Sequence, residues 1–219
     1  PAAKSAQLGG EPKTEMWYVA DATTDADLFV GLKRGATRDE FEKRIQDGTV
    51  AECFHRIAVK KGDSMFLPSG RVHALGAGNV IFEIQQNSDT TYRVFDWNRL
   101  DVQGKPRDLH IEKSLASIDF HDIEPDLIRG ELIEKNRIKR RCLIRDSLFA
   151  VDYCELPSNK NFQTDERTMQ IIGVLEGELA IEPRKITLRA GQFCLIPACV
   201  ENVSLRAVSS TSFLKIISG

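Results

Sequence analysis

Lys61–Gly76 reads KGDSMFLPSGRVHALG, and this stretch decides how the rest of the chain is read. Gly62 opens a turn, five mostly apolar residues follow, and Pro68 ends them. Proline cannot donate to a sheet ladder, so a strand stops there. Gly70 permits the turn that comes next, and His73 starts a second strand with its ring directed inward. An imidazole held inside a β-barrel is a natural ligand for a divalent metal. A lone histidine can equally be a hydrogen-bonded structural residue, and this stretch leaves both roles open.

Outward from it the chain is mostly short alternating segments. TEMWYVAD, DLFVGLK, HRIAVK, SMFLP, NVIFEIQQ and TTYRVFDW are rich in Val, Ile, Phe, Tyr and Thr, with Gly, Asp, Asn and Pro between them. Strands this short and evenly spaced predict an all-β fold of barrel or jelly-roll type. One helix is predicted among them. Thr37 caps it with Glu40 as capping-box partner, Phe41 and Ile45 share a face, and Gly48 stops it. The polar segment 124–141 has no clear period and reads as a joint. A strand-rich tail follows. Within it, GQFCLIPACVENV (191–203) repeats the pattern of GDSMFLPSGRVHA (62–74), with Cys199 at the place of Gly70 and Asn202 at the place of His73. The repeat predicts a duplicated β unit whose second copy has lost the histidine.

GEPKTEMWYV (10–19) supplies a partner for that histidine. In an extended strand Lys13, Glu15 and Trp17 share one face. A carboxylate followed by Met16, Trp17 and Tyr18 belongs in an apolar place, which carboxylates avoid unless paired or bound to metal. The plainer reading is a lysine and a glutamate facing water at a strand edge. In TTYRVFDW, alternation puts Thr91, Arg93 and Phe95 on one face, which would turn Arg93 inward. Pairing with Asp89 or Asp96 on the outside is the other possibility.

Composition sets limits. The 219 residues are 42 % apolar, enough for one large or two small domains, and the net charge of −2 gives no argument for nucleic acid or an anionic membrane as partner, so neither is expected. No apolar run approaches the ~20 residues of a membrane span. Five cysteines without a CxxC pair read as reduced thiols of a cytoplasmic protein, with Cys194 and Cys199 as apolar packing rather than a metal pair. No Gly-rich nucleotide loop is present, so ATP and NAD gain no support.

The G-x5-P-x-G-x2-H spacing of 62–73 is similar to the second cupin motif, although its final asparagine is missing: position 77 is Ala77, and Asn79 follows two residues later. Together with EPKTEMWYVAD, the long run PSGRVHALGAGNVIFEIQQNSDTTYRVFDWNR and LHIEKSL, it resembles the type I phosphomannose isomerases, in particular their short bacterial form, over residues 7 to 118. The resemblance implies two cupin barrels with a small helical insertion. It divides the chain into a first barrel over 1–122, a connecting segment over 123–146 and a metal-free barrel over 147–219.

The same resemblance implies zinc-dependent interconversion of mannose 6-phosphate and fructose 6-phosphate. Glu15 and His73 would be metal ligands, and Lys13 and Arg93 would serve catalysis and substrate binding. Arg99, Lys105 and Arg107 are further candidates for the phosphate, or a solvated loop. The family's other two ligands, a glutamine and a histidine in a Q-x-H segment, lie upstream of the K-x-E segment and have no match here. His55, His110 and His121 are poor substitutes. Weak or absent zinc, with loss of activity, is therefore the expectation for the sequence beginning at Pro1. The rival readings are a sugar-binding or regulatory cupin without turnover and a storage-type double cupin.

Overall fold

The computed structural model describes residues 2–97, 99–165 and 167–219, with the side chains of Ala2 and Ala3 left aside. It forms two compact units that divide between Leu127 and Ile128. In each, two antiparallel sheets enclose an apolar core, and together the pair has the double-cupin architecture expected from the sequence.

The first unit contains β1 (Glu15–Ala22), β2 (Asp27–Leu32), β3 (Phe54–Ala58), β4 (Ser64–Leu67), β5 (His73–Leu75) and β6 (Asn79–Gln85). One sheet has the order β4-β1-β6 and the other β3-β2-β5. Trp17, Val19, Met65 and Leu67 from the first meet Leu28 and Val30 from the second. Helix α1 covers Ala2–Gln7, α2 covers Arg38–Gln46, and a 3₁₀ turn spans Val50–Cys53. Thr37 caps α2 by accepting from the Glu40 N–H at 3.2 Å. The Glu40 carboxylate accepts from Arg44 Nε at 2.9 Å instead of reaching back to the cap. Phe41 is fully buried against Leu32, Phe54 and Val94.

Two expectations fail here. TTYRVFDW is not a strand: residues 90–97 run irregularly, because the Arg93 N–H donates to His110 Nδ1 and its carbonyl accepts from the His110 N–H, rather than either joining a sheet. The helix capped by Thr37 is also not alone, since α3 (Ile111–Ser117) follows His110. Its apolar Ile111 and Leu115 are one turn apart, a signal too short to stand out among charged neighbours.

The second unit contains β7 (Ile133–Lys135), β8 (Ile138–Arg145), β9 (Phe149–Leu156), β10 (Asn161–Gln163), β11 (Gln170–Glu176), β12 (Glu178–Glu182), β13 (Ile186–Arg189), β14 (Phe193–Ile196), β15 (Ser204–Ala207) and β16 (Thr211–Ser218). The sheets run β14-β11-β16-β9-β8-β7 and β10-β15-β12-β13. Part of the polar 124–141 stretch is ordered as the β7–β8 hairpin, whose turn residues Asn136 and Arg137 both have positive φ, as a two-residue hairpin requires.

The internal repeat is visible in the ladders. The order β4-β1-β6 recurs as β14-β11-β16. The Gly62 N–H donates to Val19 O at 2.9 Å, and the Gly191 N–H donates to Val174 O at 2.9 Å. Both glycines hold positive φ, 89° and 83°. Arg71 N–H donates to Pro68 O and Val200 N–H to Pro197 O, so both copies make the same post-proline turn. They part at the next step. His73 begins β5, while Asn202 sits exposed, off any strand, at φ 57°.

Among the cysteines, Cys53 and Cys154 are buried and Cys194 packs partly against the second core. Cys199 is exposed, contrary to the packing role expected for it, because it occupies the tip of the turn after Pro197. No helix among the described residues is long and apolar enough to cross a membrane.

Candidate functional site

Glu15 is the first residue of β1 and His73 the first of β5, so they reach the same point from opposite sheets of the first unit. His73 Nε2 lies 3.0 Å from Glu15 Oε2, and Lys13 Nζ lies 2.7 Å from Glu15 Oε1. Glu15 is only 2 % exposed. Burial alone would raise its carboxyl pKa, but contacts with His73 and Lys13 outweigh that and hold it below the ordinary carboxylate range.

The tautomer of His73 gives this contact its meaning. His73 Nδ1 stands 2.9 Å from the Arg71 carbonyl oxygen. A carbonyl only accepts, so Nδ1 carries the proton. In the neutral ring the Nε2 lone pair then faces the buried Glu15 Oε2, which receives a donor only when His73 carries a second proton on Nε2. Two acceptors 3.0 Å apart call for a cation between them, either a proton on Nε2 or a metal ion. An imidazole nitrogen and a carboxylate oxygen are a fitting donor set for zinc. They make two ligands. The described residues contain no group of three or more His, Cys, Asp or Glu placed to hold a metal.

Trp17, next on the same face of β1, fixes the histidine from the side. Its ring meets that of His73 edge-on, with centroids 5.1 Å apart, and its indole N–H donates to Glu83 Oε2 at 2.8 Å. Glu83 drew no attention in the sequence, where its alternation resembles that of any solvent-facing strand residue. It lies opposite Trp17 in the β1–β6 ladder.

Glu15 and His73 open into a cavity of about 400 Å³, lined also by Lys13, Tyr92, Arg93, Asp96, Trp97 and Arg99. Arg93 does reach the cavity, though not through strand alternation. Its Nη1 donates to the Asp108 carbonyl at 3.2 Å and its backbone is held on both sides by His110. Of the outside partners weighed for it, the Asp96 carboxylate is engaged by Arg107 through both oxygens. That pairing holds Asp96 below, and Arg107 above, their ordinary pKa values, and it occupies the guanidinium considered for phosphate. Arg99 stacks over Trp97 at 5.7 Å, and Lys105 is exposed in the loop beyond the cavity. His55 stands on β3, and His121 is exposed.

A carboxylate and an imidazole thus converge from the two sheets of a cupin-type fold. By sequence, the chain is similar to mannose-6-phosphate isomerases. It is 38 % identical over 167 residues to the mannose-6-phosphate isomerase ManA of Bacillus subtilis, a match that covers 76 % of this chain and 52 % of ManA. The chain thus spans about half the length of that relative. In three dimensions it aligns over its whole length with the crystal structure of the B. subtilis mannose 6-phosphate isomerase, at TM-score 0.86 and 27 % identity, covering 69 % of that chain. A mannose 6-phosphate isomerase structure bound with zinc and yttrium shares the fold at TM-score 0.64 and 13 % identity, with 94 % of this chain and 66 % of that one covered. No family model matches the chain.

Proposed function

We propose that this chain carries the sugar-phosphate site of a mannose-6-phosphate isomerase, which interconverts mannose 6-phosphate and fructose 6-phosphate. The observation that carries the reading is the 3.0 Å approach of His73 Nε2 to the buried Glu15 Oε2 beside a cavity lined by the cationic side chains of Lys13 and Arg93. Its volume of about 400 Å³ suits a small ligand. The relatives bear the names of isomerases, and nothing in them favours a sugar-binding cupin without turnover or a storage protein.

Moving the carbonyl from C1 to C2 removes a proton beside it and returns it to the neighbouring carbon through an enediol with negative charge growing on oxygen. Glu15 and His73 would hold a divalent ion, zinc in this reading, which when bound supplies a Lewis acid for the sugar oxygens. Lys13 is 23 % exposed and adjoins Glu15, so its ammonium faces the place where that charge develops. Arg93 offers a planar fork of donors to the enediolate or the phosphate. Trp17 and the Arg71 carbonyl keep the His73 ring in one orientation.

The test is conversion of mannose 6-phosphate to fructose 6-phosphate in a coupled assay, run on this 219-residue chain and on the whole gene product, with and without chelator. Chelator-sensitive turnover by the gene product supports the reading. Absence of conversion in the metal-loaded gene product rejects it.

A further inference from the structure

The carbonyl that sets the His73 tautomer belongs to Arg71, and the Arg71 side chain is itself locked. Its Nε donates to Asp122 Oδ2 at 2.8 Å and Nη2 to Asp122 Oδ1 at 2.7 Å. Its Nη1 donates to the Phe66 carbonyl on β4 at 2.6 Å. The pair is well shielded, with side chains 16 % and 17 % exposed. Such a bidentate pair fixes direction as well as distance.

Asp122 is anchored in turn. The Leu32 N–H donates to its carbonyl at 3.0 Å, its own N–H donates to Asp119 O, and the Asp119 N–H reaches Gly70 O at 2.9 Å. Val72 O accepts from the Gly31 N–H at 2.8 Å. The three consecutive carbonyls of Gly70, Arg71 and Val72 therefore go to Asp119, His73 and Gly31. The middle one, which meets the imidazole, is the one whose residue is clamped through its side chain.

The second unit provides the contrast within the same chain. Its turn keeps the proline and the Val200 N–H to Pro197 O bond. The position of Arg71 is there taken by Val200, and that of His73 by Asn202. The turn forms without an arginine. The arginine accompanies the histidine, not the turn.

We propose that Arg71 and Asp122 form a positioning pair for His73: by aiming the Arg71 carbonyl at Nδ1 they hold the ring as its Nδ1–H tautomer and present the Nε2 lone pair to the cation site at Glu15. The part concerning the cation rests on the reading of the site given above. The part concerning the tautomer does not. Outer partners of this kind typically change metal affinity about 10- to 100-fold.

The experiment uses the 219-residue chain, metal-free, with ¹⁵N-labelled histidine and long-range ¹H–¹⁵N correlation at about pH 8, where an ordinary imidazole is neutral. Zinc and cobalt(II) affinities are then measured by chelator competition. The wild type should show His73 as a single Nδ1–H tautomer. Arg71→Met should give a mixture with Nε2–H and a metal affinity lower by about 10- to 100-fold, with circular dichroism and the thermal transition showing a folded protein. Arg71→Lys, which keeps the charge but not the fork, should recover only part of the effect.

A folded Arg71→Met protein with unchanged tautomer and affinity overturns the proposal, as does a wild-type His73 in the Nε2–H form. If Arg71→Met does not fold, Asp122→Asn is read in the same way. If the wild type binds neither metal, a shifted tautomer in the variant still supports the positioning pair while the metal reading fails.

Discussion

Lys215 stands in the second unit where Glu83 stands in the first. Glu83 pairs with Trp17 on β1, and Lys215 pairs with Ile172 on β11, at the same register of the repeated ladders. Lys215 is 1 % exposed, forms an ion pair with Asp165 and lies 5.7 Å from the Phe162 ring centroid. An internal ion pair thus occupies the second barrel on the face where the first carries its candidate site.

This pair should contribute little to net stability, because burying the ammonium costs solvation that the attraction barely returns. Lys215→Met, of similar volume, is expected to be neutral or stabilising by up to about 4 kcal/mol. Asp165→Asn strands the buried ammonium and should destabilise. Because Asp165 is half exposed, the loss should fall below the roughly 3–5 kcal/mol of a fully buried pair. Urea denaturation of the two variants measures both. A large loss in Lys215→Met would contradict the expectation.

Glu15→Gln keeps the shape of the buried side chain and removes its charge. Lys13 and His73 then lose their common anion. Divalent metal affinity should fall by at least the roughly 100-fold that loss of an outer partner can cost, since this residue would touch the ion itself. Chelator competition reads the change directly, and an affinity within twofold of wild type would remove Glu15 from the ligand set.

Cys154 is fully buried, and burial pushes its thiol up to about 12, with the Asp152 carboxylate adding to the effect. The exposed Cys142 and Cys199 should therefore react with a thiol reagent in the native protein while Cys154 does not. The linkage sign follows from the raised value. The folded state prefers the neutral thiol, so this contribution is complete below the ordinary thiol value of 9.0 and is lost as pH rises towards 12. Alkaline denaturation of wild type and Cys154→Ala should show a steeper loss in the wild type over that window.

Thr37 accepts the Glu40 N–H at the start of α2, which seats Phe41 in the core. Thr37→Ala should cost about 1 kcal/mol in a denaturant titration. The candidate site should be undisturbed, so metal affinity should stay at the wild-type level.

What the sequence determined by itself was local. Composition and punctuation set out β1 to β4 and β6, because runs of β-branched and aromatic residues bounded by Gly, Asp, Asn and Pro mark a strand even where, as in β1, both faces are buried. The Pro68–Gly70 turn and its echo at Pro197 were legible for the same reason, and so was the Thr37 cap. The irregular course of 90–97 was not, because the groups that replace a ladder there come from His110 and Asp108, distant in the chain. Lys13 and Glu15 could be placed on one strand face from spacing alone. That Glu15 meets His73 across two sheets, that the Arg71 carbonyl holds the histidine proton, and that Asp122 holds Arg71 were decided only by the tertiary structure. These are contacts between segments whose separation in sequence carries no periodic signal, and folding alone brings them within hydrogen-bond reach.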